Sequence, residues 1–174
     1  SARATMGGGS EWLPGVLLIE GMARMWMGDP GGADALLAES VTVGSAIGGA
    51  IAVNLALGER ALIAMHLGDW ESAAQYSTQA IAGIEDRHLD MYAISGLPLV
   101  VAARVARHRG DLTRAEALLN RAAQVRPKLN SAVPGLAVQT AVEMARAYIE
   151  LSDVVGARAL LSDANDVLIQ RPDL

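Results

Sequence analysis

Arg107-His108-Arg109-Gly110-Asp111-Leu112-Thr113-Arg114-Ala115 reads as the end of one helix, a sharp joint and the start of another. A glycine after an apolar helical run can take the left-handed conformation that terminates a helix. An aspartate directly behind it can accept backbone N–H bonds and cap the next helix. The same nine-residue pattern recurs at Met25-Trp26-Met27-Gly28-Asp29-Pro30-Gly31-Gly32-Ala33, at Met65-His66-Leu67-Gly68-Asp69-Trp70-Glu71-Ser72-Ala73, and at Ile149-Glu150-Leu151-Ser152-Asp153-Val154-Val155-Gly156-Ala157. The joint residues stand at 28, 68, 110 and 152, a period of 40 to 42 residues.

Small residues recur around each joint. Seven positions before it come Gly21, Ala61, Ala103 and Ala145; five after it, Ala33, Ala73, Ala115 and Ala157; seven further on, Ser40, Ala80, Ala122 and Ala164. Large side chains at these points would hold neighbouring helix axes apart. Each helix pair then presents an apolar face that only a neighbouring pair can cover, the logic of a helical solenoid. The predicted fold is all-α: a right-handed α-solenoid of about four antiparallel helix pairs, with about eight helices near 12–27, 30–43, 46–67, 70–85, 90–109, 112–125, 133–151 and 154–170. Pro98 lies inside the fifth run and either occupies a first turn, with the helix starting nearer Leu97, or kinks it. Pro127 follows the sixth helix, and Pro134 opens the seventh. Residues 1–11, with Gly7-Gly8-Gly9, are expected to be a flexible lead-in, 12–170 a single domain, and 171–174 the start of a linker to a further domain.

Composition agrees with this reading. The chain has 174 residues, 52% hydrophobic and 19% charged, with 32 Ala, 18 Gly, three Trp, three Tyr and no Phe or Cys. Ala, Leu, Met and Arg favour helix, so the core is expected to be closely packed from small and aliphatic side chains. Low hydrophobicity, the mark of disorder, is absent, and a disulfide scaffold is excluded. A net charge of −5 argues against this piece contacting duplex DNA through a broad basic surface. The first residue is Ser and no signal-peptide pattern follows; a cytoplasmic piece of a longer protein is expected. Thirteen of the 14 basic residues are Arg, which, with the alanines, reads as a bacterial coding bias. The longest uncharged run, Ser40 to Gly58, holds Ser, Thr, Asn and four glycines. It reads as buried helix with Gly44 and Gly48 at a close crossing, and not as a membrane span.

The joint with its small residues resembles the tetratricopeptide repeat over about residues 12 to 170. Two features depart from that family. Leu17, Leu57, Leu99 and Ala141 stand where it carries a large aromatic, and the period exceeds its usual 34. The longer period, the Ala/Arg-rich composition and the ending Leu168-Ile169-Gln170-Arg171-Pro172-Asp173-Leu174 resemble the repeat region of large bacterial LuxR-type regulators, the group that includes the maltose-system activator. That resemblance implies a non-enzymatic sensor or interaction domain that binds an effector or partner on its concave face. The alternative is a structural or oligomerisation repeat domain of another multidomain bacterial protein.

No Walker-type phosphate loop occurs, since Lys128 is the only lysine, and no Gly-x-Gly-x-x-Gly follows a strand. No cofactor is expected. His66, His88 and His108 lack metal-ligand spacing to another His, Asp or Glu, so no metal is expected either. Gln139, Glu143, Arg146 and Glu150 make a polar stripe at 4, 3, 4 spacing, which reads as a solvated, salt-bridged helix face and not as a catalytic carboxylate pair. The resemblance places first-helix positions on the concave face: Glu59, Met65 and His66 in the second repeat, Arg104, Arg107 and His108 in the third, Glu143 and Arg146 in the fourth. Arginines there suit bidentate recognition of a carboxylate or phosphate, and a small effector, peptide or protein partner is expected. Trp12, Met22 and Trp26 are candidates for a homo-oligomer contact through a repeat end.

Overall fold

A computed structural model describes residues 11–130 and 132–171. Eight α-helices run through them: α1 Leu13–Trp26, α2 Pro30–Ile47, α3 Ala50–His66, α4 Trp70–Asp86, α5 Gly96–His108, α6 Leu112–Val125, α7 Pro134–Glu150 and α8 Val154–Gln170. Two short 3-10 turns, Ala93–Ser95 and Arg126–Lys128, accompany them, and no strand occurs among the described residues. No described helix is long and apolar enough to cross a membrane. Of the expected lead-in 1–11 and linker 171–174, residues 1–10 and 172–174 lie outside the described residues.

The four joints are built alike. Each closes its first helix with a pair of backbone bonds. At the first, Gly28 N–H donates to Met25 O at 3.1 Å and Asp29 N–H to Arg24 O at 2.9 Å; at the third, Gly110 bonds Arg107 at 2.9 Å and Asp111 bonds Ala106 at 3.0 Å. This is the paired closure of a helix ending in the left-handed conformation, and Gly28, Gly68 and Gly110 have φ of 82°, 79° and 82°. Ser152 makes the same bonds at φ 64°, a conformation that costs a residue with a β-carbon roughly 1–2 kcal/mol. The aspartate then turns into the next helix. Its carboxylate accepts from the backbone N–H three residues on: Gly32 at 2.9 Å, Ser72 at 3.1 Å, Arg114 at 3.0 Å and Gly156 at 2.8 Å. One residue therefore serves two helices, closing the first through its backbone N–H and capping the second through its carboxylate.

The chain divides into two compact units, one ending at Arg87 and the other beginning at His88. In the first, α1 packs on α2 and α3 on α4, and α3 also meets α1 and α2. Its core holds Leu17, Leu37, Leu62 and Ile84, all at most 1% exposed. In the second, α5 packs on α6 and α7 on α8, with α5 against α7; Leu97, Leu99, Val100, Val125 and Met144 fill it. Each fully buried aliphatic of this size contributes about 1.5–3 kcal/mol. All twelve recurrent small residues are buried. The reason is local: a β-carbon at Gly21 would stand 2.8 Å from Leu37 Cγ.

Two boundaries differ from expectation. The second helix runs to Ile47 and not to about 43, because Gly44 stays helical and only Gly48 turns left-handed, at φ 75°. The two glycines therefore do different jobs. Gly44 lets Val53 approach, since a β-carbon there would lie 2.7 Å from Val53 Cγ2, whereas Gly48 ends the helix. The uncharged run 40–58 is split between α2 and α3. The fifth helix begins at Gly96 and not near 90. Ser95 Oγ donates to Leu89 O at 2.7 Å and holds the preceding segment in a turn, and Pro98 falls in the first helical turn.

Candidate functional site

The charged side chains of α5 and α7 form one cluster in the second unit. Arg104, six residues before its joint, donates through Nη1 to Glu143 Oε2 and through Nη2 to Glu150 Oε1 at 3.1 Å. Arg107 donates through Nη1 to Glu150 Oε2 at 3.2 Å and through Nη2 to the Glu150 carbonyl at 2.8 Å. Arg146 Nη1 meets Glu143 Oε1 at 2.6 Å. Both oxygens of Glu143 thus face guanidinium groups from two helices. Its side chain is 4% exposed, against 13% for Arg104 and 50% for Arg146.

The sequence stripe on α7 is therefore salt-bridged but only partly solvated, because Arg104 of α5 lies over it and buries Glu143 while Arg146 stays half-exposed. Spacing within one helix could not reveal a partner 39 residues away. A signal existed all the same: Arg104 and Arg146 stand at the same offset before their joints. A buried ion pair satisfied in this way is costly to break from one side, though it adds little net stability when whole.

Of the residues expected on the concave face, Arg104, Arg107, Glu143 and Arg146 come together, with Glu150 added. Glu59 and Met65 are corrections. They are 0% and 5% exposed, because α1, α2 and α4 all pack on α3 and leave little of its length open. His66 and His108 are the last residues of α3 and α5 and are exposed there. No cluster of three or more His, Cys, Asp or Glu side chains suited to a metal occurs among the described residues. Of the proposed end contact, Trp12 is 70% and Trp26 52% exposed, but Met22 is 8% exposed and belongs to the core.

The first unit has its own, smaller polar contact. Arg60 on α3 donates through Nε to Asp34 Oδ1 of α2 at 2.7 Å and through Nη2 to Tyr76 Oη of α4 at 2.8 Å, and its guanidinium lies 4.1 Å from the Tyr76 ring centroid. At its joints, the Gly32 N–H bond, aided by Arg24, holds the Asp29 carboxyl below its usual range. The Ser72 side chain and N–H do the same for Asp69.

No protein-family model matches the chain, and no curated protein matches it. Among solved structures it is similar to BtubC (BKLC) from P. vanneervenii, with a TM-score of 0.57 and 17% identity over 93% of this chain. The match spans 65% of that chain's length. At this identity the likeness concerns the fold alone.

Proposed function

We propose that the chain is a non-enzymatic recognition module of four tetratricopeptide-like helix pairs, wound as a right-handed solenoid of antiparallel pairs. The four joints of one geometry support the repeat reading. The α5/α7 cluster carries the functional one: three arginines gathered on facing helices, with Arg146 half-exposed, suit a small effector or peptide bearing a carboxylate or phosphate. The sequence resemblance extends the proposal to a cytoplasmic LuxR-type transcriptional regulator, in which the effector would bias the repeats between two packings. Native mass spectrometry of the whole chain tests the site. Ligand bound to the natural chain and lost from Arg146→Ala supports it; ligand retained by both Arg146→Ala and Arg107→Ala overturns it.

A second reading, a structural or oligomerisation module, draws on exposed apolar side chains of the first helix and joint: Trp12, Ile19, Trp26 and Met27 are 52–84% exposed. Light scattering at high concentration decides it, since a monomer counts against this role.

A further inference from the structure

The second helices of the four pairs differ in what they show to solvent. α4 exposes no large apolar side chain, α2 only Ile47 and α6 only Leu112. α8 exposes five: Val154, Val155, Leu161, Leu168 and Ile169, at 43–82%. Its opposite face, with Ala157, Leu160, Ala164 and Val167, is buried, and α7 is the helix it packs on. Heptad spacing sets Val154, Leu161 and Leu168 in one row, with Val155 and Ile169 beside it. The row falls where this repeat ordinarily has cover. Leu161 stands nine residues after its joint and is 47% exposed, whereas Leu37, Ser77 and Leu119 hold that place in the other pairs and are at most 5% exposed. A contiguous exposed apolar face of this kind marks an interaction surface.

The pattern along the face reads nearly the same from both ends. About a midpoint between Leu161 and Ser162, Val154 matches Ile169, Val155 matches Leu168, and Arg158 matches Asn165 with Asp166 next to it. Two α8 helices laid antiparallel about a two-fold axis at that midpoint bring apolar against apolar at both ends. Leu161 of each copy then meets the other at the centre. Arg158 of each copy comes beside Asp166 of the other, and both side chains are exposed. An isologous contact needs such self-complementarity, since one patch must fit itself. A partner of unrelated sequence needs no mirror of Val154 and Val155 at Leu168 and Ile169, and no arginine and aspartate placed to pair across a two-fold axis.

We infer that the exposed face of α8 is a homodimer interface, in which two copies of the chain pair antiparallel. A contact of one helix on one helix belongs to the small class of interfaces, under about 1,200 Å², so a Kd of about 10 μM is expected. The contact is distinct from the first-helix residues Trp12, Ile19 and Trp26. It stands whether or not the α5/α7 cluster binds an effector.

Sedimentation equilibrium on the whole chain from about 1 to 200 μM, a range spanning that affinity, tests the inference. A monomer–dimer equilibrium is expected. Leu161→Glu sets two carboxylates together at the axis and should abolish the dimer while leaving the helical circular dichroism unchanged. Arg158→Glu should weaken the dimer about tenfold, and Arg158→Glu/Asp166→Arg should restore it to within about threefold. The chain has no cysteine, so Leu161→Cys should give a covalent dimer on mild oxidation and Trp26→Cys should not. A chain still monomeric at about 200 μM would overturn the inference. So would open-ended association, the mark of a head-to-tail contact, a dimer that survives Leu161→Glu, one lost instead in Trp26→Glu, or a charge exchange that restores nothing.

Discussion

The two units use the same joint but different means of holding their first helices together. Six residues before the joint, the first unit has Met22 and Leu62, 8% and 1% exposed. The second has Arg104 and Arg146, and Arg104 is clamped between Glu143 and Glu150. The links between pairs differ too. In the first unit two residues, Gly48 and Gly49, join α2 to α3; in the second, residues 126–133 with a 3-10 turn join α6 to α7. A shared joint thus fixes how one pair folds and leaves the contact between pairs open to either hydrophobic or ionic chemistry. The ionic solution places charge beside a surface, which is why the second unit carries the proposed effector site.

Paired substitutions at the equivalent positions test this contrast most strongly. Leu62→Ala should cost about 3 kcal/mol through the cavity it leaves, and Arg104→Ala about 3 kcal/mol by stranding the buried Glu143 carboxylate. Urea denaturation measures both. Only the second loss should be recovered by a further change, Glu143→Leu, which removes the stranded charge; an Arg104→Ala/Glu143→Leu protein no more stable than Arg104→Ala would show that the cluster is not a balanced ion pair.

The joints supply the next effect. Gly68→Ala should destabilise by about 1 kcal/mol because φ is 79°. Ser152→Gly should stabilise by up to about 1 kcal/mol, since it relieves the one joint with a β-carbon. Thermal denaturation that shifts in the same direction for both would break the equivalence of the four joints. Acid should act on the first unit's joints. Folding holds the Asp29 and Asp69 carboxyls below their ordinary value of 3.8. Their stabilising contribution is therefore present above that pH and is lost as pH falls through the folded values. The protection of the amides near Gly32 and Ser72, taken relative to their intrinsic exchange rates at each pH, should fall on acidification, and fall less in Asp29→Ala and Asp69→Ala. The smallest effect belongs to Arg146→Ala, at most about 1 kcal/mol for a half-exposed partner, so any loss of ligand in that variant reports binding and not unfolding.

Much of the helical order was legible in one chain. The joint dipeptides marked the breaks inside all four pairs because both halves of the signal, a residue able to turn left-handed and a capping carboxylate, are local in sequence. The α2–α3 break was misplaced because Gly44 and Gly48 offer the same local freedom. Only the packing of Val53 against Gly44 decides between them. The polar stripe on α7 was legible as a stripe, but its burial was not, because Arg104 comes from another helix. Asn54 gave no sequence signal at all: a lone Asn in an apolar run becomes notable only when its amide is found buried at Gly83 without a donor's partner.

By itself, the sequence determined the helical class, the joints, the positions of the small residues and the absence of any disulfide, since each depends on residue type and short-range spacing. Tertiary structure decided which charged residues meet, which of the expected surface positions are interior, and where polar groups are left unsatisfied. Those properties depend on which helix faces come together, and side chains 39 or more residues apart, such as Arg104 with Glu143 and Glu150, become neighbours only through that packing.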